Sequence, residues 1–162
     1  INANHKSYRP VSETVTLKLT GDLNLSKGYN GKQLPFYKRN FGGGSGSVRG
    51  FGNKTLGPLY PNGKAKGGEI AILGSVNLIT PAFFFDDNDK MRMSAFIDAG
   101  NIYEKSSNLK LGDIRMSAGL GFAYLSPIGS IGAFISTPIL KKDGDTIDDL
   151  SLIHISEPTR RS

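Results

Sequence analysis

The chain of 162 residues carries 20 Lys and Arg against 14 Asp and Glu, a formal net charge of +6, and has no cysteine. Disulfides and thiolate metal sites are therefore excluded, and no apolar run approaches the roughly 20 residues that a membrane-spanning helix requires, which leaves a closed barrel of strands as the way across a bilayer. The cations are scattered among turns instead of lying in one stripe with interleaved aromatics, so nucleic acid is not expected as a partner.

Hydrophobic residues make up 38% of the chain and glycine contributes 21 residues, a mixture that suits strands burying one face and broken by bends. The sequence opens at Ile1 without an initiator Met, a basic n-region or an apolar h-region, and is expected to be an interior piece of a longer protein. Residues 1–12 show no periodicity and read as a loop. From Val15 the alternation is strict, with Val15, Leu17, Leu19, Leu23 and Leu25 on one face and Thr16, Lys18, Thr20, Asp22 and Asn24 on the other. That length of period-two pattern fits a tilted membrane-spanning strand, and equally an amphipathic strand of a sandwich.

A long connection follows over residues 28–67, punctuated by Pro35, Pro58, Pro61 and many glycines. Structureless loops beyond about 15 residues are uncommon in compact domains. This one contains Phe36, Tyr37, Phe41, Val48, Phe51, Leu56, Leu59 and Tyr60, so it is expected to be ordered by packing on something. Its centre, Phe41-Gly-Gly-Gly-Ser-Gly-Ser-Val-Arg-Gly-Phe51, is too rich in glycine for a helix or a packed strand.

Strands are predicted next over 68–80, with Ile70, Ile72, Val76 and Leu78 opposite Ala71, Ser75 and Asn77, and over 91–103, with Met93, Ala95, Ile97 and Ala99 opposite Arg92, Ser94, Phe96, Asp98 and Gly100. Between them, Phe83-Phe84-Phe85 and Asp86-Asp87-Asn88-Asp89 read as a turn whose aromatics would sit at a membrane interface. Ile114, Met116, Ala118, Leu120, Phe122 and Tyr124 alternate with Arg115, Ser117, Gly119, Gly121 and Ala123, and a tight turn over Ser126-Pro127-Ile128-Gly129 leads to Ile131, Ala133, Ile135 and Thr137. A polar loop, Lys141-Lys142-Asp143-Gly144-Asp145, closes the pattern. Five strands and the start of a sixth are expected, with tight turns at one end and longer loops at the other, the asymmetry of outer-membrane barrels.

Little in the chain points to covalent chemistry. No phosphate-binding glycine motif stands between a strand and a helix, and Asp86–Asp89 lacks the calcium-loop spacing. His5 and His154, the only histidines, fall outside any predicted nucleophile–base arrangement. The chain is not expected to be an enzyme, to hold a metal or to bind a cofactor. The pair that carries weight is Arg49 and Asp98. A carboxylate on the polar face of a membrane strand needs a partner where water is restricted, and an arginine fork can bond it bidentately while stacking on a ring. The residues alone leave open that Arg49 is an exposed loop charge and Asp98 a solvated one.

Val48-Arg49-Gly50-Phe51, with Phe36-Tyr37-x-x-x-Phe41 before it and Leu56-Gly57-Pro58 after it, resembles the signature of the outer-membrane assembly-factor superfamily, the bacterial surface antigen domain. Leu78-Ile79-Thr80-Pro81, Phe96-Ile97-Asp98-Ala99-Gly100-Asn101, and Ile114-Arg115-Met116-Ser117-Ala118-Gly119 through Leu125-Ser126-Pro127-Ile128-Gly129 follow in the family's order, so the likeness runs over about 15–149. The resemblance implies an all-β fold, an antiparallel meander forming the C-terminal part of a 16-stranded transmembrane β-barrel, with the long loop inserted in the lumen. It implies that Arg49 meets acidic residues of the two following strands, of which Asp98 matches one and Asn77 stands where the other is expected.

The same resemblance implies a bacterial outer-membrane location and membership of the machinery that folds and inserts β-barrel proteins, by strand templating at a lateral seam and local thinning of the bilayer. This chain would supply the far wall and the strap, not the seam. The partners implied are unfolded outer-membrane protein clients, outer-membrane lipid, and accessory lipoproteins reached through N-terminal domains that this chain lacks. A translocation-associated assembly factor, a two-partner secretion pore and, more distantly, a passive porin are the alternatives. Residues 1–151 would be the partial barrel. After Asp149-Leu150-Ser151 the family has a closing strand ending in an aromatic, whereas residues 152–162 read as a non-native tail that leaves that strand missing or replaced.

Overall fold

The alternating segments become strands because period-two patterning places every second side chain on the same face of a pleated sheet. The computed structural model describes residues 1–30, 32–83, 90–126, 129–148 and 150–155. Its strands are β1 (Asn2–Pro10), β2 (Thr16–Leu25), β3 (Gly50–Phe51), β4 (Ile70–Pro81), β5 (Met91–Tyr103), β6 (Arg115–Ser126), β7 (Gly129–Leu140), β8 (Ile147–Asp148) and β9 (Leu150–Ile155). Seven of them form one sheet in the order β1-β2-β4-β5-β6-β7-β9, antiparallel throughout, and β3 pairs with β8 in a separate two-stranded ladder. The expected all-β antiparallel meander is what forms.

Register fixes which side chains share a face. Lys18 stands opposite Asn77, Asn77 opposite Phe96, Ser75 opposite Asp98, and Asp98 opposite Ser117. This polar face is covered: Asp98 and Ser117 are fully buried and Asn77 nearly so. The other face is bare and apolar. Val76, Ile97, Leu120 and Ile135 stand on it at 44–59% exposure, and Leu120 lies directly opposite Ile135. A row of exposed Leu, Ile, Val and Phe with no covering layer is the surface a barrel wall presents to lipid.

What covers the polar face is the connection from β2 to β4. It is held by isolated bridges between Asn40 and Gly68, Gly42 and Leu56, and Leu59 and Ala65, and by Arg39, whose Nε and Nη1 donate to the carbonyls of Leu34 (3.0 Å) and Lys66 (3.1 Å). Val48, Phe51 and Leu56 from the loop join Ala71 and Ile102 from the sheet in a buried cluster, with Leu73 packed against it. Of the apolar residues that made the loop look ordered in the sequence, Val48, Phe51 and Leu56 seat it, whereas Phe36, Tyr37 and Tyr60 are exposed. Close approach is needed at Gly50, whose φ is +86° and where a Cβ would stand 3.1 Å from Ser136 Oγ and 3.3 Å from Ser117 Cβ. Only glycine combines that backbone angle with that spacing.

Two expectations require correction. Residues 1–12 are not a loop, since Asn2–Pro10 pairs with β2 from Asn2↔Asn24 to Pro10↔Thr16. The segment shows no alternation because it is polar on both faces, and its pairing is supplied by the backbone of β2; lysine and a terminal proline are common on such edge strands. The sheet also extends further than five strands and a start, because Leu150–Ile155 pairs with β7 from Ile135↔Leu150 to Ser130↔Ile155. Leu152–Ile155, the first residues of the stretch read as a non-native tail, continue β9 from Leu150 and Ser151. A bulge between Met116 and Ser117 skips Ile139 beside Pro138, where a residue without an N–H is tolerated. The aromatic run Phe84–Phe85, the Asp86–Asp89 turn, Pro127, Ile128 and residues 156–162 lie outside the described residues.

Candidate functional site

The site is built where the tip of the loop meets the polar face of β4, β5, β6 and β7. Val48 and Phe51, both buried, clamp the tip from either side. This leaves Arg49 aimed at the sheet. Its Nε donates to Asp98 Oδ2 at 2.7 Å, its Nη2 to Asp98 Oδ1 at 2.8 Å, and its backbone N–H to Asp98 Oδ2 at 3.1 Å. The carboxylate therefore accepts from both the side chain and the main chain of one residue, which fixes the backbone of the tip as well as its charge.

A second ring of contacts surrounds that pair. Arg49 Nη2 also donates to Asn77 Oδ1 at 2.9 Å and, at the longer distance of 3.3 Å, to Ser75 Oγ. Ser75 in turn donates to Asp98 Oδ1 at 2.5 Å, and Asn77 Nδ2 donates to Ser75 Oγ at 2.7 Å. The guanidinium carbon lies 3.3 Å from the centroid of the Phe96 ring, and that ring meets Phe134 edge-on at 6.1 Å. Planar cation, bidentate carboxylate and stacked ring are the three things arginine offers that lysine does not. Asp98 is wholly buried and Arg49 is 17% exposed, so the pair is largely withdrawn from water.

All six residues singled out in the sequence, Val48, Arg49, Gly50, Phe51, Asn77 and Asp98, come together here. Ser75, Phe96 and Phe134 were not singled out as site residues. Ser75 and Phe96 could have been, since each shares the face of Asn77 or Asp98 two residues away along its strand.

A second arginine pair lies nearer the loop end of the sheet. Arg115 Nη2 and Nε donate to Asp145 Oδ1 (2.9 Å) and Oδ2 (3.1 Å), and its Nη1 donates to Asn101 Oδ1 at 2.6 Å. Arg115 and Asp145 are 10% and 7% exposed. Asp145 also receives the Lys142 backbone N–H at 2.7 Å. Beyond it, on the surface, the Lys142 ammonium hydrogen-bonds Asp113 and holds that carboxyl below its ordinary value of 3.8.

The buried charges are paired and stacked, and the carboxylate beside the Ser75 hydroxyl is already held at both oxygens by Arg49. Among the described residues no group of three or more His, Cys, Asp or Glu could hold a metal ion.

The Omp85 superfamily domain matches residues 1–153. The outer membrane protein assembly factor BamA of Neisseria meningitidis serogroup B is 31% identical over 89% of this chain and 22% of its own length. A SAM50-like protein of Schizosaccharomyces pombe is 28% identical over 83% of this chain and 30% of its own. The crystal structure of BamA from Haemophilus ducreyi lacking POTRA domains 1–3 superposes with a TM-score of 0.80 at 30% identity, over 93% of this chain and 33% of that one. The chain thus spans between a fifth and a third of the proteins it matches.

Proposed function

The chain belongs to the Omp85 superfamily and is an outer-membrane protein, and from that premise we propose that it is the C-terminal part of a barrel subunit that folds and inserts β-barrel proteins into the bacterial outer membrane. In this reading the sheet is part of a 16-stranded barrel, its bare apolar face lies against lipid, and the loop over its polar face is a strap lying in the lumen. The parent protein takes unfolded outer-membrane proteins as clients and works with accessory lipoproteins through its other domains. Its mechanism is non-covalent. An open strand edge templates an incoming strand by main-chain hydrogen bonding, and a locally thinned bilayer lowers the cost of insertion.

The observation that carries the proposal is the docking of Val48–Phe51 through Arg49 on Asp98. A pore that only conducts has no need to pin a loop across its wall with a buried ion pair, whereas an assembly factor needs a wall that stays rigid while its edge opens. The test uses the full-length parent protein in liposomes with a urea-unfolded outer-membrane β-barrel protein as client. The wild type is expected to speed client folding at least tenfold, and Arg49→Glu to abolish that acceleration. Ion conductance without faster client folding would assign a passive porin, and acceleration that survives Arg49→Glu would remove the strap from the mechanism.

A further inference from the structure

We propose that Arg115 and Asp145 form a second, positioning latch that ties the strap to the start of β9, so that β9 is held in place at that end only while the strap is docked. β9 meets β7 first at Leu150↔Ile135, so the final residues of β7, Ser136–Leu140, have no partner in β9. The connection between them must be fixed by other means.

The structure provides two. Asp145 is bonded bidentately to Arg115 of β6, which is itself held by Asn101 of β5. Immediately afterwards Thr146 accepts the Gly52 N–H at 2.8 Å, and Ile147 and Asp148 pair with Phe51 and Gly50 of the strap. Among the described residues β8 pairs with no strand except β3. A two-residue ladder is far too short to stand alone. It persists because each side is anchored within a few residues, the strap side at Arg49 on Asp98 and the β8 side at Asp145 on Arg115.

The consequence is a chain of contacts from Asp98, through the strap, to β9. If Arg49 leaves its socket, β3 withdraws and β8 loses its only ladder; if Asp145 is freed, β8 can leave with the strap still seated. Either event releases the beginning of β9, whose outer edge has no partner among the described residues. This inference rests on the reading of the strap under Proposed function, but its test needs no client.

Hydrogen exchange read by mass spectrometry on the full-length parent in nanodiscs is the experiment. Asp145→Ala and Arg115→Ala are expected to raise exchange at least tenfold in residues 146–148 and in Leu150 and Ser151, with β4 and β5 unchanged. Asp145→Asn, which keeps the shape and one acceptor, is expected to do the same to a smaller degree and remains informative if the alanine variants fail to fold. Arg49→Ala is expected to loosen 146–148 together with Gly50 and Phe51, and the exchanged pair Arg115→Asp with Asp145→Arg to restore protection. Unchanged exchange at 146–148 in Asp145→Asn overturns the latch, as does a rise spread evenly over β4 and β5. Loosening of Gly50 and Phe51 without 146–148 in Arg49→Ala overturns the coupling. A wild type that shows the exchange pattern but folds no client would sink the assembly function and leave the latch standing.

Discussion

Two arginine–aspartate pairs bind irregular segments to the same sheet, yet their surroundings differ. Arg49 comes from a glycine-rich loop, reaches a fully buried carboxylate, and is roofed by a phenylalanine ring. Arg115 comes from a strand, reaches a carboxylate in the polar turn after β7, and has Asn101 as its only further side-chain acceptor among the described residues. In the first pair the sheet supplies the anion and the loop the cation; in the second the roles are reversed. The difference teaches where each pair can fail. Removing a partner from the first strands a charge among aromatic and aliphatic side chains, where desolvation dominates, whereas Arg115, although no more exposed than Arg49, stands beside the exposed turn 141–144, through which water can reach a vacated site.

The comparison can be broken by substitution. Asp98→Ala should have the largest effect, destabilising the fold by about 3–5 kcal/mol because the guanidinium is left buried without its counter-charge; urea unfolding of the full-length parent in detergent measures it. Asp145→Ala should cost less, about 1.5–3 kcal/mol for charge-assisted hydrogen bonds lost beside an exposed turn that admits water. Equal losses would show that the two environments are energetically alike. Phe96→Leu tests the roof. It should cost about 0.5–2 kcal/mol beyond the packing change, and a double-mutant cycle with Arg49→Lys should show coupling, because lysine cannot stack its charge in the same plane.

The smallest effect is expected outside both pairs, at Asp113 and Lys142. The bond from Lys142 lowers the carboxyl's folded pKa below 3.8, so the stabilisation it gives is present above that value and is lost as pH falls through the folded pKa. Lys142→Ala should therefore lower the unfolding midpoint slightly and by the same amount throughout pH 5 to 7, while flattening the acid-side slope below pH 3.8. Added salt should mimic the substitution, since the pair is exposed.

The two pairs also differ in how far the sequence revealed them. Asp98 and Asn77 were legible because β4 and β5 alternate cleanly, so their polar faces could be written down residue by residue. Arg49 was legible through its signature. Arg115 lies on an equally clean polar face, and the reasoning that demanded a partner for Asp98 demands one for it too. Its partner stayed hidden because Lys141–Asp145 has the composition of a solvated turn, and only the bulge at Ile139 and the β3–β8 ladder bring Asp145 over the end of β6. β1 was hidden for a different reason. A strand polar on both faces carries no periodic signal, and its pairing is a property of the neighbour's backbone, which sequence patterning does not record.

The most direct measurement is a charge-reversal cycle on the strap pair in the full-length parent, reading the folded fraction from heat-modifiable migration in gels. Arg49→Glu and Asp98→Arg should each abolish the folded band, and the two together should restore at least half of it. Damage in the double variant equal to the sum of the two single ones would contradict a strap held on its wall by that ion pair.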